Sequence, residues 1–233
     1  MSNEIRISVL PPTDLSAYNR LLPLSAQSSI PRLFHDAMQI RTAVFVHEQN
    51  VPAEFEFDAD DSRSCHFVAY SSSSSVPIGT LRIVPFPHAP HPLAGVSYID
   101  NTPQGVSAAA AAAAQTKTFD DRQTALHDGR EPYVKIGRMA VLKEMRGVGV
   151  GGKLVRAAMR WLKESPHAFD AALPQHTATE EKRRFKGLMC AHAQVQARKA
   201  WERWGFVVDE GMGTWNEEGI PHVGMFQRVD VEE

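Results

Sequence analysis

Cysteine is almost missing from this chain: Cys65 and Cys190 are the two it has, far apart and outside any CxxC spacing. This argues against a disulfide framework and against a thiolate zinc site, and it fits a reducing compartment. Neither sign of charge is in excess. Twenty-five Lys plus Arg stand against 27 Asp plus Glu, a formal net charge of −2, so no global basic field exists to hold nucleic acid or anionic lipid. No run approaches the roughly 20 apolar residues that span a bilayer. Met1 to Leu10 also lacks a basic stretch followed by an apolar one. The expectation is a soluble protein, cytoplasmic or nuclear, with no nucleic-acid or membrane partner. What the 233 residues do contain is 43% hydrophobic residues, enough for the sizeable core of a single domain or one enlarged domain.

Periodicity orders the chain. Ile5, Ile7 and Val9 alternate as in a strand ended by Pro11-Pro12. From Pro31, residues Leu33, Ala37, Ile40 and Val44 recur at helical spacing, predicting a helix to about Val46, followed by an acidic loop from Glu54 to Asp61. Two apolar runs, Cys65 to Tyr70 and Ile78 to Val84, flank the serine tract Ser71 to Ser75 and read as an antiparallel pair. Residues 86–131, rich in Pro and His and holding the alanine run Ala108 to Ala114, read as an insertion. That run suits a short solvated helix or disorder better than a core element.

Val134 and Ile136 resume strand alternation, but the apolar parity passes to Met139 and Val141, which predicts a β-bulge near Gly137-Arg138. After Arg146 to Gly152 comes an amphipathic helix with Val150, Leu154, Val155, Ala158, Trp161 and Leu162 on one face, stopped by Ser165-Pro166. A second insertion covers about 166–187. Leu188 to Ala191 reads as a strand, Gln194 to Trp204 as a helix stopped by Gly205, and Phe206 to Val208 and Ile220 to Phe226 as further strands. The pattern is α/β with a mixed sheet.

Glycines between a strand and a helix leave backbone N–H groups free for an anion, and the helix dipole adds to their pull. The stretch Arg146-Gly147-Val148-Gly149-Val150-Gly151-Gly152-Lys153 therefore allows three readings. As a P-loop it has Leu154 where a Ser or Thr must hold Mg²⁺. As a dinucleotide fingerprint, with Asp170 as the ribose acid, it lacks the intervening strand, and its glycines begin behind Lys143-Glu144-Met145 rather than directly after the preceding strand. The third reading is the pyrophosphate loop of a GNAT acetyltransferase, whose Arg/Gln-x-x-Gly-x-Gly/Ala pattern Arg146, Gly149 and Gly151 match.

Three further segments carry this resemblance. Gln194-x-x-Ala197-x-x-x-Trp201-x-x-x-Gly205-Phe206 is similar to the second GNAT signature, altered at two positions. Arg41-Thr42-Ala43-Val44-Phe45-Val46-His47-Glu48-Gln49 and Glu217-Glu218-Gly219-Ile220-Pro221-His222 resemble a subgroup with VFVxEQ and E(D/E)GIPH motifs. The resemblance implies one GNAT domain over residues 1–233, with insertions at about 86–131 and 166–187. Its fold would be a mixed, mostly antiparallel sheet with a splayed, bulged strand, flanked by helices.

It also implies acetyl-CoA as cosubstrate and no metal. Met139, Ala140 and Val141 would bind the pantetheine arm, and Arg146, Gly147, Val148, Gly149, Val150 and Gly151 the pyrophosphate. A homodimer through sheet edges is common in the family.

Acyl transfer from a thioester to an amine needs a neutral amine, a polarised carbonyl and a proton for the thiolate. The resemblance implies direct attack in a ternary complex, with N–H groups near Met139 and Ala140 as donors to the thioester oxygen. The tyrosine that often protonates the thiolate is Trp201 here, whose indole has no useful acidity. Tyr133 or water stands as a substitute, and the strand glutamate of the family falls near Lys135. Catalytic roles are assigned to Glu56, Asp58, His222 and Glu48, and acceptor binding to Asp60, Gln194 and Glu218, whereas Asp61 reads as part of a solvated loop and His192 as structural.

An acyl-cysteine route through Cys190 is the lesser reading, because a lone Cys on an apolar strand is usually a core residue. An acidic site without an Arg or Lys cluster favours a small, uncharged polyol amine, D-glucosamine first, other small amines or polyamines second and protein lysine third. The alternative from another class is an acetyl-CoA-binding sensor without turnover.

Overall fold

The computed structural model describes residues 4–71, 75–168 and 184–231. Ser72 to Ser74 of the serine tract, most of the second insertion and Asp170 lie outside them. In chain order the elements are β1 (Ile5–Leu10), α1 (Arg32–Arg41), β2 (Cys65–Ser71), β3 (Pro77–Val84), β4 (Ser97–Ile99), β5 (Thr102–Pro103), α2 (Ala108–Gln115), β6 (Tyr133–Val141), α3 (Val150–Glu164), β7 (Leu188–Gln194), α4 (Arg198–Arg203), β8 (Val207–Val208), β9 (Thr214–Glu217) and β10 (Ile220–Arg228). They form two compact units, Met1–Val84 with Ile136–Arg160, and Pro85–Lys135 with Trp161–Glu233.

In the first unit the strand order is β1-β2-β3-β6. β1 runs antiparallel to β2, with Ile7 opposite Ala69, and β2 antiparallel to β3. Every residue of β3 and all but the last of β2 is buried, so both read in sequence as continuous apolar runs. The expected long first helix changes character halfway. α1 ends at Arg41, and Thr42–Glu48 continue as a π-helix that seats Val44 against Ile40 and Ala140.

At the expected bulge Arg138 adopts a left-handed φ of 46°. Beyond it, however, Ala140 is the buried residue while Met139 and Val141 are half-buried, so the predicted parity change is not seen in burial. α3 buries Val150, Leu154, Val155, Ala158 and Leu162 as its period requires, and Trp161 is half-buried.

The second unit is built on β10, which pairs antiparallel with β7, β8 and β9. β9 adds β4 in parallel, and β4 adds β5. The sheet is mixed and mostly antiparallel. Glu218 and Gly219 join β9 to β10 with φ of 50° and 76°, the double left-handed turn that suits a two-residue hairpin. Gln194 ends β7 instead of opening a helix, because Val195–Ala197 form a 3₁₀ turn before α4 begins. The alanine run is the short helix α2, capped by Ser107 and without a buried residue. The rest of the first insertion contributes core: His88, His91 and His127 are buried, and Tyr98 packs with Tyr133, Cys190, Trp215 and Phe226.

Candidate active site

The glycine loop opens α3 in the first unit. Gly147 and Gly149 hold φ of 80° and 87°, and a Cβ at either would meet nothing within 4 Å. Backbone direction, not space, therefore requires glycine there. Lys153 N–H donates to the Gly149 carbonyl at 3.1 Å, so the amides of Val150, Gly151 and Gly152 precede the helix's own hydrogen bonds and remain for an anion. Gly79 sets the height of this helix end, since a Cβ on it would lie 3.0 Å from Val150 Cγ1 and 3.2 Å from Leu154 Cδ1.

Arg146 is fixed from two sides. Its Nε donates to the Val141 carbonyl at 3.0 Å, and its two terminal nitrogens donate to Glu48 at 2.6 and 2.7 Å. The hydrogen-bonded Arg146 lowers the Glu48 pKa. Glu48, expected to be catalytic, thus holds the arginine of the glycine loop as a fixed anion.

Glu56, Asp58 and Asp61 of the acidic loop form a largely buried ion-pair cluster, not the field of free carboxylates that its sequence suggested. Arg41 donates to Glu56 at 3.1 Å and to Asp61 at 2.7 Å. Arg82 donates to Asp58 at 2.7 and 3.0 Å and to Asp61 at 2.8 Å. Arg138 donates to Asp58 at 2.9 Å and to the Phe55 carbonyl at 3.1 Å.

Three acids therefore meet three guanidinium groups. Burial alone would raise the Asp58 carboxyl, but Arg82 and Arg138 outweigh it and hold it far below the usual range. Asp61, expected to be solvated, is fully buried at the centre. His66 donates from Nε2 to the Asp61 carbonyl at 2.8 Å, and burial pushes its pKa down to about 4. Asp60 pairs with Arg63 at 2.7 Å. Sequence reading missed Arg82, Arg138 and His66, because β3, β6 and β2 supply them from outside the loop; Arg41, heading its own motif, was the visible signal.

In the second unit, His222 lies with Nδ1 2.8 Å from the Ile220 carbonyl, which puts the proton on Nδ1 and leaves Nε2 bare, 3.9 Å from Glu217. His192 Nδ1 lies 3.0 Å from Glu217 Oε1, which also accepts from Trp215 Nε1 at 2.8 Å. Glu218 accepts from the Asp100 amide at 2.7 Å, which ties the β9–β10 turn to the turn between β4 and β5. Gln194 accepts from Gln196 at 2.9 Å. Trp201 is buried against Trp204 and Phe206.

Tyr133 stacks on His88 and His91, with centroids 4.5 and 5.3 Å away, and burial raises its hydroxyl pKa well above the ordinary value. A tyrosine so enclosed is a poor proton donor. Cys190 is fully buried and its thiol is pushed up to about 12, which disfavours the acyl-cysteine route.

A family model for the acetyltransferase (GNAT) family matches residues 31–185, and the chain belongs to that family. Among curated proteins it is similar to the uncharacterized N-acetyltransferase YjcF of Bacillus subtilis, 28% identical over 122 residues, 52% of this chain and 54% of that one. The chain thus spans about half the length of that curated relative. In fold it is similar to Escherichia coli ElaA, with a TM-score of 0.52 and 19% identity over 97% of this chain and 100% of the other. An acyl-CoA N-acyltransferase from Pseudomonas aeruginosa gives 0.52 and 18% over 96% and 99%. Among the described residues no helix is long and apolar enough to cross a membrane.

Proposed function

We propose that the protein is an acetyl-CoA-dependent N-acetyltransferase of the VFVxEQ and E(D/E)GIPH subgroup, moving an acetyl group to a small primary amine by direct attack in a ternary complex. The observation that carries this reading is the loop Arg146 to Gly152. Two left-handed glycines, three amides at the start of α3 and an arginine tethered to Val141 suit a pyrophosphate. Val148 and Gly151 belong to the same cradle, and the backbone of Met139, Ala140 and Val141 is assigned to the pantetheine arm. The family model runs through residues of both units, which supports one acetyltransferase domain rather than two.

In the reaction the amine nitrogen attacks the thioester carbon, the C–N bond forms and the C–S bond breaks. N–H groups near Met139 and Ala140 stabilise the transient oxyanion. The bare Nε2 of His222 takes the amine proton and passes it to water, and the departing CoA thiolate takes a proton back from water, so that free CoA thiol and neutral His222 result. Glu48 is a positioning residue for Arg146. Glu56, Asp58 and Asp60 are assigned to an ion-paired framework within the first unit, since their charges are already met.

D-Glucosamine is the lead acceptor, because electron-withdrawing hydroxyls make its amine easier to deprotonate. A cytoplasmic location and a homodimer through the β1 edge complete the proposal; β1 ends the strand order of its unit, which supports the latter.

Thiol release from acetyl-CoA tests this, with glucosamine, polyamines, aryl amines and a lysine peptide as acceptors. The expected result is turnover on one small amine that His222→Asn lowers by about 10²-fold or more in kcat, with acetyl-CoA affinity unchanged. Tight CoA binding with no turnover on any amine overturns the enzyme reading in favour of a sensor.

A further inference from the structure

We propose that His91, Cys190 and His192, inside the second unit, form a binding site for a transition-metal ion, with zinc the best match. The family resemblance implied no metal, and no spacing in the sequence announces one, because His91 comes from the first insertion and the other two from alternate positions of β7. Folding brings one nitrogen of each histidine and the Cys190 sulfur within 4.8 Å of one another. Tetrahedral zinc, with bonds of about 2.0–2.3 Å, separates such donors by roughly 3.3–3.8 Å, so a closing of about 1 Å by side-chain rotation makes the site.

The hydrogen bonds fix which nitrogens carry lone pairs. His127 Nε2 donates to the Glu131 carbonyl at 2.9 Å, so its Nδ1 is an acceptor. That Nδ1 lies 3.3 Å from His91 Nε2, which must then be the donor. His91 Nδ1 is left as an unprotonated nitrogen, and among the described residues it is buried without a hydrogen-bond partner, on a side chain with no exposed surface. Such a group is costly unless something binds it.

For His192, Nδ1 donates to Glu217, leaving Nε2 bare. A carboxylate behind the far nitrogen of a ligand histidine orients the ring and raises its basicity, and Trp215 holds that carboxylate in turn.

Charge is also matched. Asp121 accepts from the His91 amide at 2.8 Å and faces its Nε2 at 3.7 Å, and Lys135 acts on Cys190 and His192. With Cys190 as thiolate, the anions Cys190, Glu217 and Asp121 balance Lys135 and a divalent ion. Thiolate and imidazole donors select zinc over magnesium or calcium. The ion would clamp the first insertion onto β7.

The test is titration of the chelator-stripped full-length protein with Co²⁺, followed by displacement with Zn²⁺. Expected are one Co²⁺ per chain, tetrahedral visible bands and a thiolate-to-cobalt charge-transfer band that Zn²⁺ abolishes. Cys190→Ser should remove the charge-transfer band, Glu217→Gln should weaken binding by about 10–100-fold, and Cys65→Ser should leave both unchanged. A charge-transfer band that survives in Cys190→Ser overturns the proposal. So does its absence from the wild type, which decides the matter should the Cys190 variant fail to fold.

Discussion

A hydrogen atom at Gly79 is what lets α3 settle on β3, since Val150 Cγ1, the Ala140 carbonyl and Leu154 Cδ1 lie 3.0–3.2 Å from where a Cβ would stand. Two of those neighbours belong to the first turns of the helix whose amides are assigned to the pyrophosphate, so a methyl group there should lift the glycine loop. Gly79→Ala should lower stability by about 1–3 kcal/mol in urea unfolding and weaken CoA binding in calorimetric titration. Normal CoA affinity in that variant would separate the loop from its support. Nothing in the sequence marks Gly79, which reads as one small residue within an apolar run. The same holds for Arg82 and Arg138, whose partners come from other segments. Arg146 and the loop glycines were legible because their chemistry is local and consecutive.

Among the elements, legibility followed length except at β8, two residues read from the apolar run Phe206 to Val208. α3 spans fifteen residues and its apolar stripe was read nearly as it packs. β4, β5 and β9, with three, two and four residues, are too short to show a period. The segment Glu217 to His222 stood out in the sequence, but its nature as a hairpin, with Glu218 bonded to the Asp100 amide of the β4–β5 turn, needed the pairing of Glu217 with Ile220. For the loop-to-α3 junction the conformational demand is explicit. Gly149 sits at φ 87°, where an L side chain costs about 1–2 kcal/mol. Gly149→Val is therefore expected to raise the Kd for CoA about tenfold or more while kcat at saturation changes little. A large kcat loss with unchanged Kd would place the loop's role in chemistry instead of binding.

Across the whole molecule, stability should depend on pH in a defined window. Burial, under the edge of the Phe34 ring, lowers the His66 pKa from 6.5 to about 4; Arg82 and Arg41 add to this and Asp61 opposes it. The unfolded chain thus takes up this proton before the folded one does. Its contribution is complete above about pH 6.5 and is lost as pH falls toward 4. Asp58 and Asp61, held below their ordinary range, keep theirs until the pH drops under the usual carboxylate value and then lose it. The melting temperature should fall between pH 6.5 and 4, and His66→Gln should flatten that slope; an unchanged slope would clear His66 of the effect.

The ion-pair cluster also constrains descent. Arg41, Asp61 and Arg82 are buried where water cannot take a missing partner's place, and losing one member of such a set costs about 3–5 kcal/mol, a large part of a domain's stability. Replacing the three jointly is therefore less costly than replacing one alone, and the three residues are expected to be kept or lost together.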